Sequence, residues 1–341
     1  MLRRQAGPGR LGPALAAQGP LLALLALALA LRLWGMTAHS FHFDEAQSAH
    51  LASLPAARIL ADGLHFRSDP HPPLYYLILK GWMALFGPGD IAARTLGALI
   101  GTGAVAAVYA TAAQLGGCDV SSAERRRWAL LAGLLAALSP YLVWYAQETR
   151  IFMLGAALGM AGMALLVAAI QHQGWGWWLA YALAAIAGVY TFLFTAFLLP
   201  AQGLYLLIRR RGLARGVLAQ AAIFVAVLPL IQRAWQHADS VTLVGGPVSR
   251  FDEVLLWLFQ AYTLHLAAWP RFWISAALAW AALLLCLGLL APPAATETRS
   301  SRWLLGLGLG LPLLAGQALE VWRGGIFSFT RYFIFLVPLL M

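Results

Sequence analysis

Nine histidine and acidic side chains fall between residues 39 and 71: His39, His42, Asp44, Glu45, His50, Asp62, His65, Asp69 and His71. They are five of the eight histidines and four of the thirteen acids in the sequence, more than a polar loop requires. Asp44-Glu45 directly follows Phe43 and opens 46–54, an expected interfacial helix ended by Pro55. Acids are favoured at a helix N-terminus by the helix dipole, so a cap is one reading of Asp44. The other is a general base, because partial burial near a lipid interface raises a carboxylate's pKa towards neutrality. His71-Pro72-Pro73-Leu74-Tyr75-Tyr76 comes next. Proline is tolerated in the first turn of a helix, so a simple helix start accounts for it. Alternatively, His71 sits at an anion-attracting helix N-terminus and contacts a phosphate, oriented by Asp69.

A third element runs from Ser139-Pro140 to Gln147-Glu148-Thr149-Arg150. Glu148 and Arg150 lie between two apolar runs, where ionisable groups are costly and usually have a purpose. Gln147 and Arg150, three residues apart, are expected on one helix face. A salt bridge to a neighbouring helix is the competing account. Arg331-Tyr332 reads as an interfacial anchor or a phosphate contact, and Arg94 as a snorkelling or an acting residue. Ser249-Arg250-Phe251-Asp252 has the pattern of a capping box, so residues 251–253 are expected to start a helix rather than form a second active site. Trp257 and His265 are candidates for lining a substrate cleft.

The elements that must position these residues are membrane spans. The chain is 61% hydrophobic and 11% charged, with a mean hydropathy of +0.74. Soluble domains are about 45–50% apolar and about 25% charged, so soluble, disordered and fibrous classes are excluded. Cys118 and Cys286 are too few for a disulfide framework or a zinc cluster. The net charge of +10 comes from 22 arginines and one lysine. Arginine at the cytoplasmic face of a membrane explains it better than a nucleic-acid partner does. Taking about 20 apolar residues per crossing, spans are expected near 20–36, 71–87, 90–116, 128–140, 151–170, 178–191, 192–208, 217–234, 271–291 and 303–320. The first resembles a signal peptide, but its length, Arg32 and the lack of a cleavage site favour an uncleaved span.

Arg3/Arg4/Arg10, Arg125–Arg127, Arg209–Arg211 with Arg215, and Arg299/Arg302 are expected on the cytoplasmic side. The stretches 37–70, 141–150, 235–270 and 321–330 then lie opposite. Parity requires 178–208 to be two short helices broken near Thr191. It fails between His71 and Arg125, where two spans stand in place of an odd number, so a segment there is re-entrant or 90–116 is broken. The apolar run after Arg331 is about ten residues, too short to cross. Either the chain is truncated or its last helix is short and packed on others. The expectation is therefore an all-α polytopic integral membrane protein of about ten transmembrane helices, a single domain over 1–341 with a helical non-cytoplasmic first loop. No P-loop, dinucleotide fingerprint, metalloprotease helix or hydrolase elbow occurs.

These elements, in this order, resemble the GT-C membrane glycosyltransferases, in the branch of the protein O-mannosyltransferases and the aminoarabinose transferase of lipid A. The likeness rests on Phe43-Asp44-Glu45-Ala46, His71-Pro72-Pro73-Leu74-Tyr75-Tyr76, Ala92-Ala93-Arg94 after Phe86-Gly87, the 139–150 element and Arg331-Tyr332. It covers most of residues 20–210. It implies inverting transfer of a hexosyl or pentosyl group from a polyprenyl-phosphate donor to a hydroxyl of a lipid, glycan or protein. The site would lie on the periplasmic or exterior face of the inner membrane. Asp44 is then the base, Glu45 orients the acceptor or His50, and His71, Asp69, Gln147, Glu148, Arg150, Arg331 and Tyr332 serve substrate binding. An acid–lysine pair of the aminoarabinose type is replaced here by Pro70-His71, which puts a metal site carried over from those enzymes in doubt. No cofactor, metal or nucleic-acid partner is expected. A transporter or flippase is the rival reading, and an inactive assembly subunit the third. A transporter would show paired, interrupted helices and ionisable groups near the midplane, whereas here they gather at helix ends.

Overall fold

The computed structural model describes residues 11–67, 69–115, 121–237, 249–264, 296–323 and 330–341, and every regular element among them is helical. In order these are α1 (Leu11–Leu33), α2 (Phe43–Ser53), α3 (Ala56–Leu64), α4 (Leu74–Phe86), α5 (Asp90–Leu115), α6 (Ser122–Leu138) and α7 (Pro140–Gln147). Then follow α8 (Phe152–His172), α9 (Trp175–Thr191), a 3-10 turn (Leu193–Phe197), α10 (Leu198–Arg209), α11 (Leu213–Gln236), α12 (Phe251–Leu264) and α13 (Thr296–Arg323). A second 3-10 turn, Thr330–Leu336, runs into the short helix Val337–Leu340.

Among the described residues, α5, α8, α11 and Arg302–Trp322 of α13 are long and apolar enough to cross a membrane. The pair α6 and α7, bent by 56°, makes a fifth. Gln18–Leu33, Leu74–Phe86, Leu193–Arg209 and Thr330–Leu340 are shorter apolar helices. The molecule is an all-helical polytopic membrane protein, with four or five such spans in the described residues where ten were expected. The expected span 271–291 lies outside them. The break near Thr191 is present, because α9 ends there and Phe192 is extended at φ −147°, ψ 109°. Helix α5 runs unbroken for 26 residues, so it does not relieve the parity conflict. Helix α4 has 13 residues, a rise of about 20 Å, short of a hydrocarbon core of about 30 Å.

The centre of the bundle is α8, whose sequence is apolar or small on all faces and is buried accordingly. It packs on α5, α9 and the turn at Thr330–Leu336, whose Phe333, Ile334 and Phe335 are buried. The apolar stretch after Arg331 is thus seated on other helices. Outward residues of α11, such as Val217, Leu218, Phe224 and Val225, are exposed, as lipid-facing side chains must be. At the far end of α8, Arg211 donates to the Gln171 carbonyl at 3.3 Å and Arg215 to that of Gln173. Twenty-one residues of α8, about 32 Å, separate this basic end from Phe152.

The break between α6 and α7 turns the chain towards the site. Ser139 caps α7, accepting from the Leu142 N–H at 3.4 Å, with Pro140 in the first turn. The freed carbonyls of α6 are taken by Arg32, buried in α1, which donates to Ala136 at 3.2 Å and Ala137 at 3.3 Å. A guanidinium at a helix C-terminus supplies missing donors and opposes the dipole. Gly97 and Gly101 let α7 approach α5. A Cβ on Gly97 would lie 2.6 Å from the Ala146 carbonyl oxygen, and one on Gly101 2.7 Å from the Ala146 Cβ. This small-xxx-small pairing is a membrane-helix device.

Candidate active site

Helix α2 presents two consecutive acids to different surroundings. Glu45 is buried. Its Oε1 accepts from Arg94 Nε at 2.9 Å and from the Thr149 backbone N–H at 3.0 Å. Its Oε2 accepts from a second Arg94 nitrogen at 2.7 Å and from the His42 N–H at 3.2 Å. The last of these makes Glu45, not Asp44, the acid that closes the helix start. Arg94 spends its other donors on the carbonyls of Met36 (2.7 Å), His39 (2.6 Å) and Ser40 (3.2 Å). Burial pushes the Glu45 carboxyl up, but Arg94 and the two backbone amides outweigh it and hold it below the usual range. Glu45 therefore ties the first loop, α5 and the 148–150 turn together, and it is turned towards Arg94 rather than towards His50.

Asp44 faces the other way, with its side chain 26% exposed. Its Oδ2 accepts from Arg331 at 3.2 Å, and Arg150 stands 4.0 Å from the same oxygen. Arg150 is anchored: it donates to the Asp44 carbonyl at 3.3 Å and to Ser48 Oγ at 3.2 Å, and lies 3.8 Å from Asp69. Its Nε is buried with no hydrogen-bond partner. Both guanidinium groups lie over the Phe152 ring, at 5.8 Å for Arg150 and 5.2 Å for Arg331. Phe192 meets Phe152 edge-on, and Tyr332 stacks on Phe194 at 5.1 Å, completing an aromatic floor. Two cations over apolar rings beside a half-open carboxylate can hold an anion and accept a proton next to it.

Asp69 and His71 close the third side. His71 Nδ1 bonds Asp69 Oδ1, and the other Asp69 oxygen accepts from Gln47 at 3.3 Å. The His71 ring lies 6.2 Å from Phe152 and 6.5 Å from Phe192. Burial raises the Asp69 carboxyl, yet His71 and Arg150 prevail and keep it below the usual carboxylate range. The expected Asp69–His71 pairing is thus made. It fixes the imidazole orientation, leaving Nε2 as the ring's second polar position.

The remaining residues take other places. Helix α7 stops at Gln147, and Glu148 is extended at φ −89°, ψ 137°. Gln147 and Arg150 therefore do not share a helix face, contrary to the spacing argument. Gln147 turns back on the C-terminus of α1, donating to the carbonyls of Arg32 at 3.2 Å and Trp34 at 2.7 Å. Glu148 accepts from Trp144 Nε1 at 2.7 Å, and burial raises its carboxyl above the usual range. Residues 251–253 do open a helix, α12, with Arg250 paired to Asp252 at 3.1 Å. Trp257 is on that helix and exposed, while His265 lies outside the described residues. Among the described residues no three His, Cys, Asp or Glu side chains are placed to share a metal ion. The sequence reading missed Ser48 and the Thr149 amide, uncharged groups inside the segments it singled out, and the Phe152–Phe192–Phe194 floor, which belongs to no charged motif.

The helical bundle, with its polar site at one end, has the fold of two solved structures. The structure superposes on ArnT from Cupriavidus metallidurans bound to undecaprenyl phosphate with a TM-score of 0.61 and 17% identity, over 95% of this chain and 59% of that one. It also matches an Archaeoglobus fulgidus oligosaccharyltransferase tethered to an acceptor peptide, with a TM-score of 0.50 and 11% identity, over 96% of this chain and 49% of that one. The chain thus spans less than two thirds of the length of these enzymes. In sequence, residues 70–235 match the dolichyl-phosphate-mannose-protein mannosyltransferase family. No curated protein matches the chain. The resemblance to the branch of ArnT and the protein mannosyltransferases is borne out by both matches.

Proposed function

We propose that this protein transfers a sugar from a polyprenyl-phosphate donor to an acceptor hydroxyl, with inversion, using Asp44 as general base. The observation that carries the reading is Asp44 Oδ2, held between Arg331 and Arg150 over an aromatic floor. In the reaction the acceptor oxygen bonds to the sugar's C1 as its proton passes to Asp44. The C1–O bond to phosphate breaks from the opposite face, and its electron pair leaves on the phosphate oxygen. A phosphate is already a good leaving group, so the site needs a base and cations rather than a strong acid. Arg150 and Arg331 supply the cations, and His71 a further phosphate contact. The related ArnT structure holds undecaprenyl phosphate, which supports a lipid-linked donor.

The same reading places the site on the periplasmic or exterior face. Its support is the separation of Arg211 and Arg215 from Phe152 by the length of α8. Single cysteines at exposed positions 50 and 123 should label from opposite sides of sealed vesicles; labelling from one side contradicts this topology. The activity itself is tested by incubating membranes holding the protein with a panel of radiolabelled polyprenyl-phosphate sugars. Label should move from one donor into one lipid, glycan or protein product. Folded protein that transfers from none of them contradicts the reading.

A further inference from the structure

Two arginines flank Asp44, and they differ in how they are held. Arg150 is buried and bound to the Asp44 carbonyl, Ser48 and Asp69. Arg331 comes from 287 residues away in sequence, its side chain is 23% exposed, and its NH1 takes the Asp44 carboxylate at 3.2 Å. A guanidinium N–H on Asp44 Oδ2 competes with an acceptor hydroxyl for that oxygen. We infer that Arg331 exchanges between the Asp44 carboxylate and the donor phosphate, so that a seated donor clears Asp44 Oδ2 for the acceptor hydroxyl. This rests on the reading of the site as a polyprenyl-phosphate site.

The geometry favours exchange over a static pair. Both guanidinium groups share the Phe152 ring, so an anion bridging them lies within a short side-chain swing of Arg331. The anchors of Arg150 on the Asp44 carbonyl, Ser48 and Asp69 do not involve the carboxylate oxygen that Arg331 holds. When Arg331 takes the phosphate, Asp44 loses the direct N–H and faces Arg150 alone. After transfer the departing polyprenyl phosphate carries more negative charge than the phosphodiester it came from. Asp44 then carries the acceptor's proton, so Arg331 returns to it only after that proton has left.

Competition for one cation makes a coupling that can be measured. Binding of undecaprenyl phosphate in lipid nanodiscs is compared for the full chain, Asp44→Asn, Arg331→Gln and the double variant, with unfolding midpoints recorded for each. Asp44→Asn removes the carboxylate that competes for Arg331 and should tighten binding about tenfold. In the Arg331→Gln background the same change should give less than about threefold. Equal gains in both backgrounds mean simple charge repulsion and overturn the exchange. Weaker binding by Asp44→Asn overturns it too, because that is what a purely structural ion pair predicts. If Arg331→Gln does not fold, Arg331→Lys carries the test: without the planar fork, the Asp44→Asn gain should fall below about fivefold. Inorganic phosphate, run alongside at higher concentration, should show coupling of the same sign. Coupling with the lipid but none with saturating phosphate overturns recognition of the phosphoryl group by Arg331. Failure of the unaltered protein to bind undecaprenyl phosphate removes the donor reading itself, whereas binding without coupling removes only the exchange.

Discussion

Around Glu45 every approach is filled: Arg94 twice, the Thr149 amide and the His42 amide, all inside the protein. Around Asp44, one residue earlier on the same helix, the carboxylate meets Arg331 and Arg150 and is part open to solvent. Consecutive residues on a helix point about 100° apart, so one acid faces the bundle and the other the site. The difference teaches how a membrane enzyme can hold a reactive carboxylate in place. A saturated ion pair fixes the loop and the 148–150 turn, and the adjacent, partly open carboxylate is the one the proposed transfer would use. Buried pairs of the first kind cost much to break, whereas groups of the second kind act by where charge develops.

Substitutions on each side can break this division. Arg150→Gln removes an anchored cation from the open centre, and transfer should fall by about 10²–10³-fold while the protein stays helical. Near-normal transfer would take Arg150 out of the phosphate contact. Arg94→Met acts on the closed centre. It strands the Glu45 carboxylate and three carbonyls, so unfolding in detergent should show a loss of about 3–5 kcal/mol, with transfer per folded molecule little changed. A folded, fully stable variant that no longer transfers would reverse the assignment of Arg94. Gln147→Ala uncovers the α1 carbonyls and should cost about 1 kcal/mol, read by the same unfolding experiment, with donor binding intact. A selective loss of donor affinity would return Gln147 to the substrate.

The smallest effect concerns Glu148 and is a dependence on pH. Its carboxyl is raised by burial, so the folded state holds the proton more tightly than the unfolded chain does. Stability is then lost as pH rises from the unfolded value, about 4.3, through the folded one. Glu148→Gln should be more stable than the parent near pH 7, and the advantage should shrink towards pH 4. A difference that does not vary with pH would deny that burial governs this residue. Glu45 has the opposite sign: its lowered carboxyl adds stability above the unfolded value, lost only as pH falls through the folded one.

The membrane architecture and the members of the site were legible because charge is rare in this chain. Asp44, Asp69, His71, Arg150 and Arg331 stood out against apolar runs and are indeed neighbours. What spacing alone could not show was direction. Gln147 and Arg150 looked like one helix face until the chain became extended at Glu148. Glu45 was expected to orient the acceptor or His50, because its partner, Arg94, is 49 residues away and its other donors are backbone amides. Arg32 looked like an interruption, and its role depends on carbonyls exposed by a break more than a hundred residues later. The aromatic floor was hidden among many other aromatic residues that a membrane protein needs anyway.

The division between the two acids is tested most directly by Asp44→Asn and Glu45→Gln compared side by side, with transfer from a polyprenyl-phosphate sugar measured per folded molecule and unfolding followed on the same samples. Asp44→Asn should keep its unfolding midpoint and lose about 10³-fold in transfer. Glu45→Gln should lose stability and keep transfer within about tenfold, since positioning through a retained amide is only partly impaired. Near-normal transfer by Asp44→Asn, or a stable Glu45→Gln protein without transfer, would contradict the assignment.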